Sequence, residues 1–414
     1  RADPLVADDA VVGKGCRMTE RHSGDATEDP MIRFDRASKR YRDGTVAVHD
    51  LSLAVHKGEL VVLVGPSGCG KTTTMKMVNR LVEPSGGHIL VDGRDIMTVD
   101  PVELRRGMGY VIQNVGLFPH RTIEENVATV AELVGWPAQR RRVRARDLLE
   151  LVGLDPSVHG PRYPHQLSGG QRQRVGVARA LAVDPPVLLM DEPFSAVDPV
   201  VRAQLQDEFL RLQDEVHKTI LFVTHDIEEA VRLGDRIAVM AQGGRLEQYD
   251  TPAAILGAPA TPFVAGFVGA DRGLKRLSVT PVTEADLEHP PLVRLDDPLP
   301  TAQAAMGDSR WAVVLDADGG LAGWLSSDVD DRSGLVRDHA RRMEAWVNLG
   351  DSLRLAFGEM LQWNAGWIAV LDRGDRFLGV LTPSTLHTAL RRSVEAEAKR
   401  VDPQAVELES VLDA

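Results

Sequence analysis

Two cysteines in 414 residues, Cys16 and Cys69, are too few and too far apart for a disulfide framework or a metal cluster. Their scarcity fits a reducing cytosol. No apolar run approaches the roughly 18 residues that cross a bilayer; the longest strand-like run, Leu60–Val64, reads as a buried strand. The first residues are acidic and polar, so no secretory signal is expected, and a soluble chain that serves any membrane through a partner is. Positive charge is also short, 48 Lys and Arg against 60 Asp and Glu, a net charge of −12. That balance excludes the electrostatic footprint of a nucleic-acid binder. Lysine is rare, eight residues against forty arginines, a bias of base composition that makes each lysine, Lys71 among them, more informative.

What is present is ordinary globular material, 43% hydrophobic and 26% charged, enough for two or three domains. Residues 1–30 show no hydrophobic periodicity and read as a disordered extension; Met18 and Met31 are candidate starts. From Met31 to about Ala270, apolar runs alternate with amphipathic stretches, the pattern of an α/β domain. Strands are predicted at Leu60–Val64, Tyr110–Gln113, Val187–Met190, Ile220–Val223 and Arg236–Met240, and a helix over Glu132–Leu151. The arginines in the middle of that helix (Arg140, Arg141, Arg142, Arg144, Arg146) read as a solvated face.

Residues 271–394 contain a repeat. Trp311-Ala-Val-Val-Leu-Asp316 returns as Trp367-Ile-Ala-Val-Leu-Asp372, and Gly323-Trp-Leu-Ser326 as Gly379-Val-Leu-Thr382, both 56 residues on. Leu299 and Met306 match Leu353 and Met360 at a spacing of 54. Each copy reads as helix, strand, turn, strand, helix, and two such small units are expected to pack on each other. Residues 395–414 form an acidic tail with a short helix possible within it.

Three motifs carry the chemistry. Gly65-Pro66-Ser67-Gly68-Cys69-Gly70-Lys71-Thr72 fits G-x-x-x-x-G-K-S/T directly after a strand. Glycines let backbone N–H groups turn inward around phosphates at a helix N-terminus, Lys71 reaches the β- and γ-phosphates, and the Thr72 hydroxyl takes Mg²⁺. Cys69 reads as a small packed residue of that loop. Val187–Met190 is an apolar strand that ends in Asp191 and Glu192, an expensive placement unless a cation and a reacting water wait there. Leu167-Ser168-Gly169-Gly170-Gln171 precedes a helical run over Val175–Leu181 and is a second anion-seeking helix start. One nucleotide does not need two such cradles from one chain.

With these motifs in order over Met31–Val268, the chain resembles the ATPase subunits of ABC transporters. The resemblance implies an α/β fold, a P-loop NTPase domain at 31–270, closing head to tail on a second copy. It places ATP against Tyr41, on Gly65 to Gly70, Lys71, Thr72 and Thr73, and on Ser168, Gly169, Gly170 and Gln171 of the other subunit. Thr72, Gln113 and Asp191 would hold Mg²⁺; Glu192, His225 and Lys71 would be catalytic; Asp198 would lie at the dimer interface. The repeat looks like a tandem pair of CBS domains, a smaller α+β module. That combination resembles the energising subunit of importers for glycine betaine, proline, choline or carnitine. Permease subunits and an extracytoplasmic solute-binding protein are the implied partners, and the cytoplasmic face of the membrane the implied place. The CBS nucleotide pattern, G-h-h-T-x-x-D, is broken here by Val329 and Thr385 at the ribose-binding position, flanked by Asp328 and Asp330 in the first copy. Alternatives are an ABC importer for another small solute such as an amino acid, or a non-transport ABC ATPase. The latter usually has two cassettes or a coiled-coil insertion, and neither is visible.

Overall fold

The computed structural model describes residues 29–113, 115–195, 197–329 and 333–401. The expected disordered extension lies almost wholly outside these residues, as does the acidic tail beyond Val401, including Glu407, Glu409 and Asp413. The chain forms two compact units, one ending at Lys275 and the other beginning at Arg276.

In the first unit, a six-stranded sheet contains β3 (Leu60–Val64), β6 (Met108–Val111), β7 (Val187–Asp191), β8 (Thr219–Val223), β9 (Arg236–Ala241) and β10 (Arg245–Asp250) in the order β10-β9-β3-β8-β7-β6. All pairs are parallel except β9–β10. β3, β7 and β8 are buried along their whole length, because helices cover both faces of a parallel sheet. A second, antiparallel sheet, β2-β1-β4-β5, is built from β1 (Ile32–Arg40), β2 (Val46–Val55), β4 (Gly86–Val91) and β5 (Arg94–Asp95). Ile32, Phe34, Leu51, Leu53 and Ile89 from this sheet share one core with Val61, Leu63, Leu189 and Leu221 of the other.

The helices of this unit are α1 (Lys71–Val78), α2 (Pro101–Arg106), α3 (Ile123–Leu133), α4 (Ala138–Leu151), α5 (Pro156–His159), α6 (Gly169–Ala180), α7 (Pro199–Val216) and α8 (Ile227–Leu233), then the short α9 (Pro252–Gly257) and α10 (Pro262–Val268); α11 (Arg272–Leu277) begins in this unit and ends in the next. The single helix expected over Glu132–Leu151 is a correction: it is the end of α3 and the whole of α4. Gly135, at φ 81°, leaves helical backbone, and Pro137 opens the next helix, where it lacks no needed N–H. The arginines of α4 are spent within the unit. Arg142 and Arg146 reach Glu124 at 3.2 and 3.0 Å, Arg141 reaches Glu132 at 3.5 Å, and Arg140 lies 3.7 Å over the Trp136 ring.

The second unit contains two like sheets. β11 (Leu292–Arg294), β12 (Trp311–Leu315) and β13 (Leu321–Ser326) form one; β14 (Trp346–Asn348), β15 (Ile368–Leu371) and β16 (Phe377–Leu381) form the other. In each the first pair is parallel and the second antiparallel, and Val314 faces Gly323 as Val370 faces Gly379. Helices α12 (Leu299–Met306) and α13 (Leu353–Gln362) make the crossovers and bury Leu299, Met306, Leu353 and Met360 at matching places. The repeated Asp is a turn residue. Asp316 Oδ1 accepts from Asp318 and Gly320 N at 2.9 and 2.7 Å, and Asp372 Oδ1 from Gly374 and Arg376 N at 2.7 and 2.9 Å.

Two features differ from the expected repeat. Each copy opens on an extra short strand, β11 or β14, and among the described residues the first copy closes on a 3₁₀ turn, Val336–Asp338, instead of a helix. The second closes on α14 (Pro383–Val401), so the boundary expected after 394 falls inside a helix. Trp311 and Trp367, equivalent in the two copies, stack with ring centroids 4.0 Å apart and planes 7° from parallel. Trp311→Ala should therefore cost this unit about 2–4 kcal/mol, stacking included. A thermal transition unmoved by the substitution would show that the stack does not hold the copies together.

Candidate functional site

β3 delivers the chain into the phosphate-loop sequence, and two glycines there have no alternative. A Cβ at Gly65 (φ 154°) would lie 2.2 Å from Met240 O, and one at Gly70 (φ 98°) 2.0 Å from Ala47 O. Lys71 follows as the first residue of α1, 6% exposed. Its ammonium donates to Gly65 O at 2.7 Å and Pro66 O at 3.0 Å and sits 3.7 Å from Cys69 Sγ. The loop thus holds one compact cation at its centre. Burial pushes the Cys69 thiol up despite Lys71 beside it, so the sulfur stays protonated and packs. Gln242, in the turn after β9, donates to Ser67 O at 3.0 Å and steadies the loop from outside.

The Thr72 hydroxyl donates to Asp191 Oδ1 at 3.0 Å, which joins α1 to the end of β7. Burial pushes the Asp191 carboxyl up, partly countered by Thr72, Lys76 and Lys71. Tyr110, on the neighbouring strand, is pushed up to about 12 by burial and then by Asp191. Thr72 and Asp191 put two hard oxygens at one point, a donor set that suits magnesium when phosphate and water supply the rest.

Glu192 leaves the sheet in left-handed backbone, φ 44°, with its N–H donating to Val223 O at 2.9 Å. Such a conformation is costly for a residue with a Cβ and persists only where the surroundings fix it. It separates the two carboxylates. Asp191 faces α1, whereas Glu192 Oε2 accepts from Gln113 Nε2 at 3.2 Å and Oε1 lies 3.2 Å from His225 Nδ1. Gln113 stands two residues past the end of β6, so the strand expected to run to it stops earlier, at Val111. His225 stands two residues past the end of β8. Tyr41 is exposed beside the loop, its hydroxyl 3.5 Å from Thr73 Oγ1 and Lys39 Nζ 5.4 Å from its ring.

Ser168 is on the surface as the N-cap of α6, which begins at Gly169 and thus earlier than expected. Ser168 Oγ accepts from Gln171 N at 3.2 Å, and Gln171 Oε1 accepts from Ser168 N at 3.0 Å, a reciprocal cap. Among the described residues no hydrogen bond joins Ser168, Gly169, Gly170 or Gln171 to the phosphate loop, Asp191 or Glu192. Asp198 caps α7 by accepting from Val200 N at 3.0 Å. Eight sequence-selected residues are therefore linked in space (Tyr41, Lys71, Thr72, Thr73, Gln113, Asp191, Glu192 and His225), and no hydrogen bond joins the Ser168 group to them among the described residues.

Sequence reasoning missed the residues that hold this frame. Gln206 on α7 donates to the buried Glu229 of α8 at 2.9 Å, beside the His225 turn, and burial pushes Glu229 up. Asn126, wholly buried in α3, binds Phe118 N at 2.7 Å and the carbonyls of Phe118, Arg121 and Thr122 at 3.1, 3.1 and 2.9 Å. A lone Asn one position past a Thr-x-x-Glu helix start was the only available signal.

The ABC transporter family model matches residues 48–195. The choline transport ATP-binding protein OpuBA of Bacillus subtilis is 43% identical over 379 residues, 90% of this chain and 99% of that protein. The carnitine transport ATP-binding protein OpuCA of Listeria monocytogenes is 44% identical over 86% of this chain and 91% of its own length. Among solved structures, cbiO1 from Clostridium perfringens, part of the ABC transporter complex cbiONQ, aligns with a TM-score of 0.52 at 28% identity, covering 56% of this chain and 93% of that one.

Proposed function

The chain belongs to the ABC transporter family, among the ATP-binding subunits of osmoprotectant importers, and from that premise we propose how its residues divide the work. It binds and hydrolyses ATP to energise uptake of a solute of the glycine betaine, proline, choline or carnitine class. Glu192, held between Gln113 and His225 at the end of a buried strand, is the observation that carries the assignment of the general base.

Lys71 turns from the Gly65 and Pro66 carbonyls to the β- and γ-phosphates, and Tyr41 stacks on adenine. Thr72, Asp191 and Gln113 hold magnesium, which when bound neutralises phosphate charge. Glu192 takes the proton of the attacking water, and His225 orients it. Ser168, Gly169, Gly170 and Gln171 serve the nucleotide of a second, identical subunit, which accounts for an exposed anion-seeking helix start with no hydrogen bond to its own loop among the described residues. Permease subunits and an extracytoplasmic solute-binding protein complete the importer, with this chain at the cytoplasmic face of the membrane.

Residues 31–270 form the ATPase domain and 271–394 the CBS pair that regulates it. Thr385 stands where that pattern has its ribose-binding Asp, and its hydroxyl is taken by the α14 cap, accepting from Thr382 N at 2.9 Å. A nucleotide signal therefore fits poorly, and ionic strength fits better. Exposed charge contacts are screened over roughly 8–10 Å at physiological salt and weaken as the cell loses water.

The test is ATP-driven uptake of labelled glycine betaine, choline, carnitine and proline into vesicles carrying the permease, across a salt series. The full chain should take up at least one of them and be activated by salt, and a truncation after Ala270 should be active without the salt response. No uptake of any of the four would overturn the solute class, and identical salt responses would exclude the module as the sensor.

A further inference from the structure

Gly68, in the middle of the phosphate loop, has left-handed backbone, φ 79°, and a Cβ there would meet no atom within 4 Å beyond its chain neighbours. Packing therefore does not set the orientation of the Ser67–Gly68 peptide. Glycine accepts either sign of φ, so this peptide can turn over at little local cost. It is trans, and its carbonyl and N–H point in opposite directions. Among the described residues Ser67 O accepts from Gln242 Nε2, at 3.0 Å, and the Gly68 N–H donates to no protein atom. Where Gln242 holds the carbonyl, the N–H faces the other way and is free for a ligand. Gln242 is exposed, yet the turn it stands in, between β9 and β10, is braced on both sides. Before it, Met240 O lies against Gly65, where a Cβ would come within 2.2 Å. After it, a Cβ at Gly244 would lie 2.2 Å from Ala47 O, and His49 N donates to Gly244 O at 3.1 Å. Gly70 meets the same Ala47 carbonyl, so the turn bears on both ends of the loop it reaches across to.

We propose that Gln242 is a positioning residue for the nucleotide: by holding the Ser67 carbonyl on the outer side of the loop, it keeps the Gly68 N–H turned to the phosphates. This rests on the reading of Gly65 to Thr72 as the phosphate site. The Gln242 side chain bonds a backbone carbonyl and, among the described residues, makes no hydrogen bond to Lys71, Asp191 or Glu192. It therefore sets affinity through one backbone donor and leaves the chemical step alone. Phosphate uses that donor and adenine does not. A triphosphate, with or without its nucleoside, should feel the loss, and adenosine should not.

Gln242→Met keeps the length of the side chain and loses its donor; Gln242→Lys keeps a donor at similar reach. In the full chain, Gln242→Met should raise the KM for ATP, and the Kd of ATP and of inorganic tripolyphosphate, ~3–10-fold, the scale of one hydrogen bond, with kcat within about twofold of wild type. Adenosine affinity, measured by competition against a fluorescent ATP analogue, and the thermal transition should not move, because the side chain is exposed. Gln242→Lys should return tripolyphosphate affinity to within about twofold of wild type. It should do so in 1 M salt as well, where the added charge is screened within about 3 Å. Unchanged tripolyphosphate affinity in Gln242→Met, an equal loss for adenosine, or a fall confined to kcat would overturn the proposal. So would a rescue by Lys that salt abolishes. Lys71→Ala is the control. If that variant also binds tripolyphosphate as the wild type does, the phosphate-site reading fails, whereas a loss in Lys71→Ala alone keeps that reading and sinks the role of Gln242.

Discussion

Glu192→Gln should leave ATP affinity unchanged and slow turnover ~100-fold or more, the contribution of a positioned general base. Gln has nearly the volume of Glu and keeps hydrogen-bonding capacity toward Gln113 and His225, which hold Glu192 at 3.2 Å each, but it cannot accept a proton at neutral pH. Nor does it change the backbone cost: the left-handed conformation at this position, φ 44°, weighs equally on both residues. Lys71, Thr72 and Asp191 make no contact through the Glu192 side chain, so nucleotide binding has no reason to fall.

A variant that binds and does not hydrolyse should accumulate as an ATP-bound dimer, seen as a doubling of mass in size-exclusion chromatography with light scattering. Wild-type turnover would remove Glu192 from the base role. A parallel loss of affinity and turnover would instead mark it as part of the binding frame.

The buried parallel strands were the most legible part of this chain. Leu60–Val64 and Val187–Met190 are unbroken apolar runs because both faces of their sheet are covered, and each run ends at the residues that do chemistry. The antiparallel sheet was not read as strands. β1 is interrupted by register shifts on both partners and by Arg36 at φ 47°, which breaks the alternation a half-buried strand would show. The turn Asp at 316 and 372 was visible as a repeat, yet its cause, a carboxylate capping two amides, emerges only from the hairpin. Site residues followed the same division. Lys71, Asp191 and Glu192 stand in contiguous strings, whereas Gln242 meets Ser67 across 175 positions of sequence. Nothing local distinguishes a residue whose work is done by its distance from its partner.

The division of the site between two subunits predicts complementation between defective chains. Lys71→Ala should weaken ATP binding by ~10–100-fold, because a triphosphate loses one charge-assisted contact worth roughly 1.5–3 kcal/mol. Lys71→Arg should not restore it. The ammonium fits among Gly65 O, Pro66 O and Cys69 Sγ in a position 6% exposed, and a planar guanidinium has no room there. Ser168→Ala should bind ATP normally and fail in hydrolysis. Because Ser168 also caps α6, part of that failure could be fraying of the helix, and Ser168→Gly separates the two causes. Gly costs an N-cap only a few tenths of a kcal/mol where Ala costs about 1. Equal defects in Gly and Ala therefore assign the loss to the hydroxyl, and a milder defect in Gly assigns it to the cap. Mixed in equal amounts, the Lys71→Ala and Ser168→Ala chains form heterodimers in which one site has both wild-type residues and the other has neither. If each intact site works independently, about a quarter of wild-type turnover returns: half the dimers of a symmetric pair are mixed, and half their sites are whole. Turnover that stays at the level of the separate variants, while heterodimers are present and the intact site binds ATP, would mean either that Ser168 does not serve its partner or that both sites must fire together. A covalently linked pair of one wild-type and one Ser168→Ala subunit decides between these, since it contains one whole site whichever way the halves are arranged: turnover near half of wild type shows that a single site fires and puts the failure on Ser168, whereas no turnover shows that both sites must fire together.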